Sequence, residues 1–210
     1  MSEPRLIYIY DPMCSWCYAF NSSLQELQKD LPSTIRFSYL LGGLAPDSTE
    51  PMSADLQNTI QQAWQRIEKT VTHVQFNYDF WKLNTPIRST YPACRAILAA
   101  KKQGVEYATK LLHAIQTAYY QKAKNPSLQE TLLSCAAEIG LNTDSFIRDL
   151  NSSAINNELR KEIEFARNLG VASYPSLCLI HNEKQFHIPI DYLDHGTMID
   201  KITWLLTNHR

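Results

Sequence analysis

Glycine is scarce in this chain, with six residues among 210 against a usual share of roughly 7%. So few positions with free access to positive φ argue against a turn-rich β-sandwich and favour helix. Long hydrophobic runs are missing too: no segment approaches the roughly 20 consecutive apolar residues of a bilayer-spanning helix, so the expectation is a soluble protein without a membrane partner. Net charge is almost absent, since 20 basic and 21 acidic side chains leave a formal charge of −1. Without a basic cluster there is no electrostatic footprint for phosphate, and nucleic acid is not an expected partner. The opening Met1-Ser2-Glu3-Pro4-Arg5 lacks the charged, apolar and small-residue segments of a secretion signal, so the expected location is cytoplasmic. The histidines are scattered and fall into no metal-ligand or nucleophile spacing.

What is present is packing material: 44% apolar residues, including four tryptophans, 11 tyrosines and seven phenylalanines. Leu6 to Tyr10 is a continuous apolar run, as in a strand buried on both faces. Cys17, Phe20, Leu24, Leu27 and Leu31 recur at helical spacing, and Ile35, Phe37, Tyr39 and Leu41 alternate with Arg36 and Ser38 as in a second strand. Strand, helix and strand in this order make a right-handed βαβ unit. After Gly42-Gly43 the pattern turns helical: Ser53 to Val71, then stripes through Cys94, Ile97 and Leu98, and through Tyr107, Leu111, Ile115 and Ala118. The aromatic stretch His73 to Leu83 is ambiguous. Ser127 with Glu130 reads as a capping box opening a helix through Leu132 and Cys135, and further helices follow at Phe146–Leu150 and Ile155–Ala166. Strands at 176–180 and 185–190 and a helix through Met198, Ile202, Leu205 and Leu206 close the chain. The predicted class is α/β, with 47–159 as a helical domain inserted between βαβ and ββα halves formed by 1–46 and 160–210.

Cys14-Ser15-Trp16-Cys17 falls between the first strand and the first helix. A CxxC beside a βαβ pattern reads as a dithiol redox site, because three-residue helical spacing brings the two side chains within about 5–6 Å. Cys14 at a helix N-terminus is the expected nucleophile, its thiolate favoured by free N–H groups and the helix dipole. Cys17, one turn in, is the expected resolving thiol. A structural cysteine pair is the plainer alternative. Zinc would need about four ligands in close pairs, whereas Cys94, Cys135 and Cys178 are isolated and read as packing residues. No metal is expected. Cys178 lies on a strand that could pass the site.

Asp11 to Tyr18 resembles the active-site turn of disulfide-isomerase-like proteins in the DsbA-like group of the thioredoxin superfamily, and Gly170 to Ser176 is similar to the loop where that group keeps a cis-proline beside its CxxC. The resemblance covers essentially the whole chain and implies a thioredoxin-like fold with an inserted helical domain. It also implies thiol–disulfide oxidoreductase or isomerase activity through a Cys14/Cys17 mixed disulfide, with no organic cofactor. Pro175 is the expected cis-proline lying against Cys14, and Ser15, Trp16 and Tyr174 are the expected substrate contacts. Trp16 and Tyr174 have packing alternatives, and the Tyr174 hydroxyl could instead bond a sulfur. Implied partners are protein thiols or disulfides and glutathione. Tyr8 stands where the group usually has a buried acid, and Asp11 reads as a turn former or as a base. Phe80, Trp81, Tyr91 and Tyr119 are candidate groove residues with core packing as their alternative. The same fold resembles kappa-class glutathione transferases and 2-hydroxychromene-2-carboxylate isomerases, which do not depend on a redox-active cysteine pair. A peptide-binding chaperone module is the third expectation.

Overall fold

The structure, a computed structural model, describes residues 3–209; Met1, Ser2 and Arg210 lie outside the described residues. Strand β1 (Arg5–Tyr10) is buried from Leu6 onward, which is why its sequence is apolar without alternation. It pairs in parallel with β2 (Arg36–Leu41), Tyr10 opposite Leu41, and antiparallel with β3 (Ser176–His181), Ile9 opposite Ser176. Strand β4 (Lys184–Ile188) pairs antiparallel with β3, so the sheet order is β2-β1-β3-β4. The strand expected to reach Ile190 stops at Ile188 because Pro189 has no N–H to continue the ladder.

Helix α1 (Ser15–Asp30) crosses from β1 to β2 and buries Cys17, Phe20, Leu24 and Leu27, the stripe read from the sequence. Between β2 and β3 come α2 (Ala54–Thr70), α3 (Phe80–Leu83), α4 (Tyr91–Lys101), α5 (Val105–Tyr120), α6 (Gln129–Glu138), α7 (Thr143–Leu150) and α8 (Ser153–Asn168). Helix α9 (His195–Asn208) packs on α1. The expected boundary at 159/160 falls inside α8, a continuous helix. Its early stripe residues Ile155, Leu159 and Ile163 join the large core with the other helices, whereas Ala166 joins Ile7, Ile9 and Leu40 on the opposite face of the sheet. One helix thus packs on both α4 and β2.

Two local readings change in the fold. Ser127 and Glu130 do not form a capping box: α6 begins at Gln129 with Leu128 as N-cap, because Ser127 Oγ instead donates to the carbonyls of Ile87 at 3.2 Å and Ser89 at 2.7 Å. The ambiguous stretch His73 to Leu83 carries only the single turn α3. Its shape comes from tertiary packing, since Phe76 stacks on Trp64 at 4.7 Å while Tyr78, Phe80 and Trp81 surround the same indole. Glu68 of α2 accepts hydrogen bonds from the Phe76 N–H and the Tyr78 hydroxyl.

Candidate active site

The C-terminal end of β1 delivers a turn organised by Asp11. This side chain is fully buried. Its Oδ1 accepts the Met13 N–H at 2.8 Å, and its Oδ2 accepts the Leu44 N–H at 2.7 Å, the Thr90 hydroxyl at 2.6 Å and the Cys94 thiol at 3.5 Å. Burial raises the Asp11 pKa, while these donors oppose the rise. Asp11 is the turn former read from the sequence and also ties the turn to the segments before α2 and at the start of α4. Cys94 is correspondingly more than filler.

Cys14 is the N-cap of α1, and its carbonyl accepts the Tyr18 N–H at 3.0 Å. Its Sγ donates to the Tyr174 carbonyl at 3.4 Å, and the Tyr174–Pro175 peptide bond is cis. The Tyr174 hydroxyl donates to the Gly42 carbonyl at 2.7 Å rather than to a sulfur. A Cβ at Gly42 would lie 2.0 Å from Tyr174 Cε1, so the ring can occupy this place only over a glycine. Pro175 is buried behind the contact.

Cys14 is 7% exposed and Cys17 0%, so only the first thiol reaches the surface. Burial pushes the Cys17 pKa well above the usual thiol range, helped by the hydrogen bond and charge of Cys14. Tyr8, at the position where the resemblance implies an acid, is also fully buried. Its pKa is raised by burial, then by the Cys17 and Cys14 charges and a hydrogen bond with Cys17. The Cys17 thiol therefore faces a protonated phenol.

Burial similarly raises Cys94, and the sign of the stability effect follows. In the unfolded chain these thiols release protons above about pH 8.5, while the folded state retains them, so their contribution is full below that pH and lost above it. The reduced protein is expected to lose up to about 1.4 kcal/mol per pH unit for each such thiol. Thermal unfolding at about pH 7.5 and about pH 9.5, with and without a Cys14–Cys17 disulfide, checks this, because oxidation removes the Cys17 part. Equal alkaline losses in both redox forms would contradict it.

Cys14, Ser15, Trp16 and Tyr174 line one cleft of about 350 Å³, with Cys17 beneath. One wall is α2, through Leu56, Ile60 and Trp64; the other includes Arg88 and Thr90. Trp16 is partly buried: its ring lies 5.0 Å from Tyr192, and the Arg66 guanidinium sits 5.9 Å from its centroid. Of the four candidate groove aromatics, only Tyr119 lines this cleft; Phe80 is 1% exposed in the core. Cys178 belongs to the opposite face of the sheet, with Ile7 and Ile9, because strand alternation turns it away from the Tyr8–Tyr10 side. Cys135 is buried in the helical core.

Among the described residues, no group of three or more His, Cys, Asp or Glu side chains is gathered that could hold a metal ion, and no helix is long and apolar enough to cross a membrane. Sequence reasoning did not single out Arg88, Tyr192 or the α2 wall for the site. The α2 stripe was visible as periodicity, but its neighbour was not. Arg88 has no local signal at all.

A family model described as Thioredoxin matches residues 7–200. The curated relative "ClpXP adapter protein SpxH" of Halalkalibacterium halodurans is 25% identical over 185 residues, which cover 86% of this chain and 60% of the relative. The chain thus spans less than two thirds of that relative's length. A provisionally named protein disulfide isomerase from Nitrosomonas europaea superimposes with TM-score 0.85 at 21% identity over 100% of both chains. The cytosolic disulfide reductase DsbM of Pseudomonas aeruginosa, solved with GSH, gives 0.70 at 23% identity over 98% of both chains. These superpositions establish the likeness of fold.

Proposed function

This chain belongs to the thioredoxin family, and from that membership we propose that it is a thiol–disulfide oxidoreductase working through Cys14 and Cys17. The observation that carries the reading is the placement of Cys14. Its sulfur sits at the N-cap of α1, opens to a cleft and lies 3.4 Å from the Tyr174 carbonyl, with Cys17 one turn below. Cys14 attacks a substrate disulfide, or its own disulfide with Cys17 is attacked by a substrate thiol, and either direction passes through a mixed disulfide. Pro175 and the Tyr174 backbone hold the substrate strand beside the sulfur by main-chain contacts, which give affinity with little sequence preference. Ser15 and Trp16 border the entrance. Protein thiols or disulfides and glutathione are the proposed partners, in the cytoplasm, with no resident metal or organic cofactor. The ends of the chain, 1–46 and 160–210, carry the dithiol, and 47–159 supplies the opposite wall.

Equilibration in glutathione redox buffers, followed by trapping of free thiols and mass spectrometry, tests the proposal. The expected result is one reversible two-electron transition joining Cys14 to Cys17. No such disulfide at any ratio of buffer thiol to disulfide would sink the reading. The relative described as a ClpXP adapter protein favours a second reading, a protein-binding adapter in which the dithiol is incidental. It requires that the Cys14→Ser/Cys17→Ser double variant keep full cellular activity. Glutathione-dependent small-molecule transfer or isomerisation is weakened by the presence of both cysteines, on which the enzymes of that class do not rely.

A further inference from the structure

The segment before α4 is pinned on both sides of one arginine. The Met52 N–H donates to the Pro86 carbonyl at 2.8 Å and the Thr90 N–H to the Ala45 carbonyl at 3.0 Å, while Ser127 Oγ engages the carbonyls flanking residue 88. The Arg88 backbone is therefore fixed, yet its guanidinium makes no ion pair with any described residue. It is partly buried and lines the cleft that opens on Cys14. Among the residues lining that cleft, Arg88 is the one charged side chain, and the rest are mostly apolar. A partly dehydrated guanidinium without a counter-ion is unfavourable until an anion arrives. Its planar fork matches a carboxylate in two parallel hydrogen bonds.

We infer that Arg88 is the carboxylate-binding residue of this cleft, and that the dithiol acts on low-molecular-weight thiols and disulfides bearing a carboxylate; the inference rests on the dithiol reading above. The cleft volume of about 350 Å³ is that of a small-ligand site. The exchange balances within the pair. The Cys14 thiolate attacks one sulfur of the ligand disulfide, a Cys14–ligand S–S bond forms as the ligand's own breaks, and one ligand thiolate leaves. The Cys17 thiolate then attacks Cys14 Sγ and releases the second. The ligand gains two electrons, the protein dithiol loses two, and the two thiol protons end on the two departing thiolates.

The test uses two disulfides of similar size, dianionic dithiodipropionate and neutral hydroxyethyl disulfide. Second-order rate constants for oxidation of the Cys14–Cys17 pair are measured in the wild type, Arg88→Gln and Arg88→Lys. The dianionic-to-neutral ratio is expected to fall roughly tenfold in Arg88→Gln and to take an intermediate value in Arg88→Lys, which keeps the charge but not the bidentate fork. In the wild type it is expected to shrink with added salt, as screening requires. A ratio equal in the wild type and Arg88→Gln overturns the assignment and leaves the dithiol reading standing. If Arg88→Gln does not fold, a wild-type ratio indifferent to salt overturns it instead. If neither disulfide oxidises the wild-type pair, the dithiol reading falls and this inference with it.

Discussion

Cys17→Ser is expected to convert the protein into a trap: mixed with oxidised glutathione, it should accumulate a stable Cys14 adduct that the wild type never builds up. The reason is positional. Cys17 lies fully buried one helical turn from Cys14, so in the wild type the second attack is intramolecular. Well-oriented intramolecular reactions reach effective concentrations of about 10⁵ M or more, whereas external glutathione is present at about millimolar levels and must enter a narrow cleft. Adduct release should therefore slow by at least about 10³-fold. Serine is close to isosteric, and its hydroxyl can keep the partnership with Tyr8, so the variant is expected to fold. Mass spectrometry of the intact protein over time reads the adduct directly. Release as fast as in the wild type would remove Cys17 from the mechanism, and an adduct on another cysteine would remove Cys14.

The largest stability effect is expected at Trp64. Its indole is fully buried and has six aromatic partners, Phe76, Tyr78, Phe80, Trp81, Tyr119 and Tyr120, with centroids between 4.7 and 6.2 Å. Trp64→Ala removes the body around which the 73–83 segment and the end of α5 are organised, and the lining is too large to collapse into the space. The expected loss is about 3–5 kcal/mol, read as a shift of the urea midpoint at unchanged slope. Trp64→Phe keeps a stacking ring and should lose markedly less. The same residue lines the dithiol cleft, so the alanine variant should also weaken ligand binding where it remains folded. A loss below about 1.5 kcal/mol, the range of volume-conserving swaps, would show that the cluster is not the anchor of the helical block.

Some of this architecture was decided locally and was therefore readable. The Leu6–Tyr10 run, the Cys17–Leu27 stripe and the alternation at Ile35–Leu41 record the burial of their own faces, and the structure places β1, α1 and β2 on them. The position of Cys14 at a helix N-terminus follows from the same local order of strand, turn and helix. The stripe Ile155, Leu159, Ile163 and Ala166 was equally visible, but not that its last member would cross to the other face of the sheet.

Everything that depends on a distant partner was settled only in three dimensions. Ser127 abandons its capping position for carbonyls about 40 residues away because hydrogen-bond donors answer to geometry rather than to sequence spacing. Asp11 becomes a fully buried acceptor because Leu44, Thr90 and Cys94 converge on it. Tyr174 points its hydroxyl at Gly42 because the bare glycine leaves room for the ring. By itself the sequence determined the elements, their order and the dithiol, since periodicity and a short motif are properties of neighbouring residues. The tertiary structure decided the walls of the cleft, the neighbours of Cys17 and the one charged side chain lining that cleft, since each is a contact between segments whose meeting leaves no local trace.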